Sequence, residues 1–229
     1  MCTLTYLPTG KNSFIWTQNR DESPLRTASE LVHQKGERVY PKEPLKGGTW
    51  ISIAKNNRVV SLLNGAFEKQ PYVFSTKRSR GLIVLDFLDY AQASDFFEQY
   101  DLEGVEPFTM VVYEDGVLWD FRWDKTQKYV QQLDVEQAHI WSSSMLYTAE
   151  MKAARREWFG DYLEKNKEHT VNSALDFHQH AGIGNIEYDL IMKRPYVETV
   201  SITNIVKESN TLALTYHDLV NQKVSSQAL

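Results

Sequence analysis

The first 22 residues, MCTLTYLPTGKNSFIWTQNRDE, decide how the chain is interpreted. Residues 2–6 alternate and favour a β-strand, residues 8–12 contain the Pro, Gly and Asn of a turn, and residues 13–17 form a second β-prone run. The sequence therefore predicts a β-hairpin that begins at the start of the chain. Such a hairpin returns residues 19–21 to the neighbourhood of the N-terminus.

The chain has a single cysteine, and it stands at position 2. If the initiator methionine is removed, Cys2 carries both a thiol and a free α-amine, whose ordinary pKa of roughly 7.7–8.0 makes it a weak base near neutral pH. A nucleophile and a general base on one residue suffice for catalysis by an N-terminal residue. The alternative is a strand residue that happens to be cysteine, because free cysteine is usually a small buried hydrophobe.

A run of amide and ionic side chains, residues 18–22, ends the second predicted strand. In the hairpin, the carboxylate of Asp21 can accept hydrogen bonds from the Cys2 ammonium, and the charge of Arg20 would favour the thiolate. Asn19 lies in the same run and is a candidate for contact with a substrate. The alternative interpretation is a solvated turn after a strand.

The composition excludes several classes of protein. The 229 residues are 42% hydrophobic, enough for a core, but their net charge of −5 lacks the basic excess that a nucleic-acid partner requires. No stretch approaches 18 uncharged apolar residues and the N-terminus has no signal-peptide pattern, so we expect a cytoplasmic protein without a membrane span. A single cysteine excludes an internal disulfide framework. No linker is evident, and residues 1–229 are predicted to form one domain.

Clusters of strands alternate with helices along the chain. Apolar residues at helical spacing predict helices over 82–91, 149–165 and 171–180, while residues 19–46 are polar and are predicted to be irregular. An Asp-Gly step at 115–116 predicts a hairpin. Clustered strands, rather than strict alternation of strand and helix, favour an α+β fold with antiparallel sheets and helices on their outer faces.

The same residues match a known family. Asn-Arg-Asp-Glu at 19–22, after a Met-Cys-Thr start, resembles the NRDE family, named for that tetrapeptide and also called the transport-and-Golgi-organisation family. Gly-Gly-Thr-Trp at 47–50 and Leu-Asn at 63–64 resemble its next landmarks. Ser-Arg-Gly at 79–81 and Trp-Ser-Ser-Ser-Met-Leu at 141–146 fit its later ones.

This resemblance implies a four-layer αββα sandwich of two antiparallel sheets with outer helices, similar to N-terminal-nucleophile hydrolases of the penicillin V acylase and bile-salt hydrolase type. It implies that Cys2 attacks a carbonyl, that Asp21 positions the α-amine or the thiol, and that Asn64 donates to the oxyanion. Arg20 matches the family motif, although the acylase arginine corresponds to Gln18 in this chain.

Two departures from the acylases are visible. They have an asparagine where this chain has Ser143, and their arginine near the last strands has no counterpart around residues 198–202. Ser143 and Trp50 complete the candidate site, as a catalytic and a substrate-contacting residue. The sequence predicts no cofactor and no metal, because His178 and His180, two apart on a helix, point to different sides.

The leading hypothesis is a hydrolase that acts on the non-peptide C–N amide bond of a small acyl substrate through an acyl-enzyme on Cys2. The alternative is a non-catalytic binding or trafficking protein for a hydrophobic ligand, a lipid or haem, on the same scaffold. Neither hypothesis involves nucleic acid or a membrane span, and the sequence leaves homo-oligomerisation open.

Overall fold

The computed structural model describes residues 2–34, 37–69 and 77–229. The strands and α-helices of these residues follow in this order: β1 (Cys2–Gly10), β2 (Ser13–Glu22), β3 (Leu31–Gln34), β4 (Arg38–Pro41), β5 (Ile51–Ala54), β6 (Arg58–Asn64), α1 (Arg80–Phe87), α2 (Ala93–Gln99), β7 (Phe108–Glu114), β8 (Val117–Trp123), β9 (Lys128–Leu133), β10 (His139–Ser142), α3 (Ala149–Lys165), α4 (Val171–His180), β11 (Lys193–Arg194), β12 (Val197–Glu208), β13 (Thr211–Asp218) and β14 (Lys223–Ala228).

The first sheet joins the two ends of the chain. Its strands lie in the order β10-β1-β2-β12-β13-β14, with every neighbouring pair antiparallel, and the short β11 pairs with β12. The N-terminal hairpin predicted from the sequence is β1–β2. Because β2 also pairs with β12 over residues 14–22, the strand that bears the polar run is central and covered on both edges.

The second sheet is an antiparallel meander in which β3 to β9 lie in chain order. The hairpin predicted at residues 115–116 joins β7 and β8. Asp115 and Gly116 both have positive φ, 49° and 84°, which is what a two-residue hairpin turn of type I′ requires. Residues 19–46, predicted to be irregular, instead contain the end of β2, the short strands β3 and β4 and a 3₁₀ turn at Pro24–Arg26, so that expectation was wrong.

Alternate residues of the strands face two different layers. The side chains between the two sheets form one core, and its members include Leu4, Phe14, Trp16, Val59 and Val111. The outer face of the first sheet is covered by α3 and α4, and that of the second by α1 and α2. The order of layers is therefore helix, sheet, sheet, helix, and the predicted four-layer αββα sandwich is confirmed.

One histidine fastens α4 to the first sheet. The ring nitrogens of His178 lie 2.6 Å from Asn19 Oδ1 and 2.8 Å from Thr5 Oγ1, and burial lowers the pKa of His178 to about 3. His180 is exposed and pairs with Asp176 instead. In the ranges that the structure describes, no group of three His, Cys, Asp or Glu residues could hold a metal ion, and no helix is long and apolar enough to cross a bilayer.

Candidate active site

Four residues singled out in the sequence line one pocket. Cys2, Arg20, Trp50 and Asn64 surround a cavity of about 130 Å³, to which the loop before β5 and the segment that leads into α1 also contribute. These residues come from four separate parts of the chain, so the fold, rather than sequence proximity, assembles the pocket. The cysteine stands at the start of a central strand, where backbone pairing fixes its position.

The hairpin sets Cys2 directly opposite Arg20 in the register of β1 and β2. Residues directly opposite in an antiparallel pair lie on the same face of the sheet, with Cβ atoms roughly 4.5–5.5 Å apart. Burial raises the pKa of the Cys2 thiol, the charge of Asp21 raises it further, and the charge of Arg20 lowers it. The resting side chain is therefore a thiol at neutral pH, and it needs a base before it can attack.

Arg20 is held by an aromatic ring and a carbonyl. Its guanidinium carbon lies 3.8 Å from the centroid of Trp50, and Nη1 donates to the backbone oxygen of Arg26 at 2.6 Å. Such stacking suits the flat guanidinium, which an ammonium group would not replace. Trp50 thus forms one wall of the pocket and fixes the direction of Arg20.

Asp21 faces the other side of the sheet from Arg20 and does not line the pocket. Its carboxylate accepts hydrogen bonds from Tyr147 and from Thr199 Oγ1, the latter at 2.7 Å. Burial raises the pKa of Asp21, while the bonds from Thr199 and Tyr147 lower it. The guanidinium of Arg155, itself buried, lies over the Tyr147 ring at 3.8 Å from its centroid.

The sequence does not mark these two partners of Asp21. Tyr147 follows directly on the Trp-Ser-Ser-Ser-Met-Leu landmark, and Thr199 lies within residues 198–202, where the acylase arginine has no counterpart. A hydroxyl that donates to a buried carboxylate has no sequence pattern of its own, since strand pairing across the chain brings it there. Only the sheet order reveals that β2 and β12 are neighbours.

Asn64 ends β6 with its side chain in the pocket. Its backbone oxygen accepts from Ser143 Oγ at 2.7 Å and from the Met145 amide at 3.4 Å, so its main chain is fixed. Its side-chain amide makes no hydrogen bond within the described residues and is available to a ligand. Gly65 follows with a φ of 87°, and a Cβ there would stand 3.0 Å from the Ser144 and Met145 side chains.

Ser143 differs from its predicted role. It does not line the pocket, because its hydroxyl is used on the Asn64 carbonyl and its amide donates to the Cys2 carbonyl at 2.9 Å. A direct bond from this hydroxyl to a reacting atom is therefore not what the geometry offers. Ser143 instead ties the strand of the nucleophile to the strand of Asn64.

Asn19 is also not where the prediction placed it. Its side chain points to the helical layer, where Nδ2 donates to the His178 and Leu190 carbonyls at 3.0 and 2.9 Å. Strand alternation explains this, because Asn19 and Arg20 must face opposite sides of β2. Gln18 lies between the sheets and donates to the Leu62 carbonyl at 3.3 Å, so it too stays out of the pocket.

Two glycine motifs meet in the wall of the pocket. A Cβ on Gly48 would lie 2.4 Å from the carbonyl carbon of Gly81, and the Thr49 amide donates to the Gly81 oxygen at 2.9 Å. The contact joins the Gly-Gly-Thr-Trp run to the first turn of α1. It also brings Arg78 and Arg80 into the pocket lining.

A family model described as Transport and Golgi organisation 2 matches residues 1–181. The chain belongs to this family. The match confirms the resemblance drawn from the tetrapeptide, Cys2 and the Gly-Gly-Thr-Trp run. A search of curated protein sequences finds no match to the chain.

Solved structures share the fold at low sequence identity. The Caenorhabditis elegans ortholog of N-acylethanolamine-hydrolyzing acid amidase superposes with a TM-score of 0.63 at 17% identity, covering 89% of this chain and 92% of that one. Two variants of conjugated bile acid hydrolase from Clostridium perfringens give TM-scores of 0.56 and 0.57 at 10% identity, each covering 99% of this chain and 92% of that one. The chain therefore has the fold of N-terminal-nucleophile hydrolases.

Proposed function

We propose that this protein is an N-terminal-nucleophile amidohydrolase that cleaves the C–N amide bond of a small acyl substrate through Cys2. One observation carries the proposal. The lone thiol lines a pocket with Arg20 and with Asn64, whose side-chain amide has no partner among the described residues. The amidase and the bile acid hydrolase named above share the fold and provide support by analogy alone.

The reaction begins with removal of Met1, which exposes the α-amine of Cys2. That amine, with an ordinary pKa of roughly 7.7–8.0, accepts the thiol proton while the sulfur attacks the amide carbon. A C–S bond forms, and the carbonyl oxygen becomes an oxyanion that accepts a hydrogen bond from Asn64. A donor in this position typically contributes a factor of 10²–10³ to the rate.

The intermediate then collapses in two stages. The C–N bond breaks, the ammonium of Cys2 returns its proton to the leaving amine, and a thioester remains on the sulfur. Water attacks this thioester, and the α-amine accepts a proton from the water. The C–S bond breaks, the acid is released and the thiol is regenerated, so that no other reactant is consumed.

Asp21 and Arg20 take complementary electrostatic roles in this scheme. The Asp21 carboxylate, held by Tyr147 and Thr199, stabilises the ammonium form of the Cys2 amine from the far side of the strand. Arg20, opposite Cys2, stabilises the developing thiolate by its charge. Ser143 is a positioning residue, because it connects the Cys2 and Asn64 main chains.

The test compares two forms of the same thiol. Protein processed to Cys2 is assayed on a panel of N-acyl amides beside protein with an uncleavable Gly-Ser extension, which keeps the sulfur but converts the base into an amide. We expect the extension to lower kcat/KM by at least a hundredfold, and Asn64→Ala to lower kcat by 10²–10³. Equal activity of both forms would refute the role of the amine.

The alternative, a protein that binds a hydrophobic ligand without turnover, has one observation in its favour. The Ser143 hydroxyl bonds to the Asn64 carbonyl and is withdrawn from the reacting centre. Titration with fatty-acyl ligands and with haem separates the two functions. Saturable binding that is insensitive to Cys2→Ala, together with no hydrolysis of any amide in the panel, would favour the alternative.

A further inference from the structure

The pocket has the opposite charge to the whole chain. The chain carries a net charge of −5, yet five cationic and only three acidic side chains line the cavity. The cations are Arg20, Arg26, Lys46, Arg78 and Arg80, and the acids are Glu22, Glu43 and Glu106. Such a local excess concentrates anions at the pocket, since clefts of one sign focus the field.

The three carboxylates are already engaged with cations. Arg26 bridges Glu22 at 2.8 Å and Glu43 at 3.1 Å, and Glu106 pairs with Lys125 at 2.9 Å. Each carboxylate is thus at least partly neutralised by a neighbour. Arg78 is paired as well, with Asp86, but the lining as a whole still contains more cationic than acidic side chains.

Arg20 is the cation that stands out. It is 4% exposed, and among the described residues no carboxylate lies within 4.0 Å of its guanidinium. Among the described residues it stacks on the Trp50 ring and donates to one backbone carbonyl. Burial lowers the pKa of Arg20, and the charge of Glu22, which is itself bridged to Arg26, raises it without direct ion-pair contact. A buried charge without a direct ion-pair partner is costly, and proteins normally pair it or hydrogen-bond it fully.

The pocket around Arg20 also offers hydrogen-bond donors. Trp50 Nε1 is buried without a hydrogen-bond partner in the described part of the chain. The half-buried Asn64, whose side chain makes no hydrogen bond to another described residue, lines the same pocket. Glu106 Oε2 is the one buried acceptor of the lining in the same condition. Arg20, Trp50 and the Asn64 amide N–H therefore supply donors to one pocket, and an anionic group can accept from them.

We propose that the substrate carries an anionic group, a carboxylate, sulfonate or phosphate, that forms an ion pair with Arg20 inside the pocket. That the bound anion belongs to a substrate rests on the proposed function, whereas the binding of an anion rests on the pocket alone. Because Arg20 lies opposite Cys2, the anionic group must stand within a few bonds of the scissile amide.

The experiment uses matched pairs that differ only in charge. N-hexanoylglycine and N-hexanoylglycinamide differ in charge on the amine side of the scissile amide. N-propylsuccinamic acid and N-propylsuccinamide differ in charge on its acyl side. For at least one pair, kcat/KM for the anion should exceed that for the neutral amide by at least tenfold. In Arg20→Gln this ratio should fall to about one, whereas Arg20→Lys should retain part of it.

Arg38→Gln is the matched control, because Arg38 is a half-buried arginine that pairs with Asp89 at 2.6 Å and does not line the pocket. Its ratio should stay within twofold of the wild-type ratio. If Arg20 served only to stabilise the thiolate, Arg20→Gln would lower kcat equally for charged and neutral members and would leave the ratio unchanged. That result would overturn the inference.

A binding experiment tests this inference separately from the proposed hydrolase activity. Calorimetric titration of the Cys2→Ala protein with the same four compounds needs no turnover. Tighter binding of an anion that Arg20→Gln abolishes supports the inference even where the wild-type protein hydrolyses nothing. Equal binding of both members of each pair, or no binding of any of the four, contradicts it.

Discussion

Tyr147 is, with Thr199, one of the two hydroxyl donors that favour the charged form of Asp21. Its hydroxyl donates to a carboxylate whose pKa burial raises, so the hydrogen bond opposes protonation of Asp21. The pKa of Tyr147 is itself raised by burial and by the charge of Asp21, which keeps the phenol neutral and able to donate. In our account Asp21 acts only as a carboxylate, because only then does it hold the Cys2 ammonium.

Tyr147→Phe should therefore change the pH dependence of the reaction. Loss of the donor raises the pKa of Asp21, so the acid limb of the kcat/KM profile should move to higher pH and the rate at neutral pH should fall about tenfold. Tyr162→Phe is the control, since Tyr162 is a buried tyrosine that bonds Ser173 in the helical layer. A lower rate with an unmoved acid limb would show that Tyr147 has only a structural role.

The contact between the Gly-Gly-Thr-Trp run and α1 depends on the absence of a side chain at Gly48. Gly48→Ala would force a methyl group against the Gly81 backbone at 2.4 Å, and backbone cannot move aside cheaply. We expect a loss of about 2 kcal/mol or more in the free energy of unfolding, within the range of strained or overpacked sites. The wall of the pocket would shift with it.

The same change from glycine to alanine should have the opposite effect on stability at Gly160 in α3. Nothing lies within 4 Å of the added Cβ, and alanine is favoured over glycine in a helix by roughly 0.5–1 kcal/mol. Urea unfolding of both variants measures the contrast. If both substitutions had the same sign, the close approach of Gly48 to Gly81 would be contradicted.

The attachment of α4 to the first sheet should weaken in acid. The pKa of His178 is lowered by burial to about 3, below its ordinary 6.5, so between these values the unfolded chain binds a proton that the folded chain refuses. Stability is therefore complete above about pH 6.5 and falls as pH drops towards 3, by about 1.4 kcal/mol per unit. Near pH 5 the loss should be about 2 kcal/mol.

Urea titrations at several pH values between 7 and 4.5 measure this slope. His178→Gln should reduce this slope by the contribution of about one proton, because glutamine retains hydrogen-bonding groups but does not titrate. His180→Gln, which removes the exposed histidine at the end of the same helix, should leave the slope as it is. A wild-type slope that His178→Gln does not change would show that this ring is not buried as neutral imidazole.

Elements with a strong local pattern could be predicted from the sequence. The helices at 149–165 and 171–180 and the β7–β8 hairpin were placed correctly because amphipathic spacing and an Asp-Gly turn are local signals. The edge strands β3 and β14 were missed because they are short or polar and lie largely exposed. Pairing with a neighbouring strand, rather than their own composition, makes them strands.

Sequence motifs predicted which main-chain positions form the site, but not the directions of all the side chains. Cys2, Arg20 and Asn64 meet because the hairpin and β6 bring them together, and the landmarks contained that information. The directions of the Asn19 and Ser143 side chains depend on which face of a strand they occupy and on partners from distant segments. Motif spacing cannot supply those partners, and for that reason it did not indicate that both side chains point away from the pocket.

The whole molecule should unfold as one unit, as the single-domain prediction requires. The strand β2 is held by β1 on one side and by β12 on the other, so residues near both ends of the chain stabilise the centre of the first sheet. Tryptophan fluorescence and circular dichroism should report coincident urea transitions. Two separated transitions would contradict a single cooperative domain.

A chain truncated after residue 181 extends the same prediction. It retains every residue that the family model matches but lacks β11 to β14. Because β2 would lose its pairing partner over residues 14–22, the truncated chain should have no cooperative transition. A sharp transition with native circular dichroism would show that the N-terminal part folds alone.

The most direct measurement for the whole account is mass spectrometry of protein quenched during turnover of an N-acyl substrate. The account predicts an N-terminal peptide that begins at Cys2, heavier by the mass of the acyl group and released by hydroxylamine as a thioester. Cys2→Ala should show no adduct. Turnover without any adduct on Cys2, or an acyl group that remains on the Cys2→Ala protein, would contradict the claim that this thiol is the nucleophile.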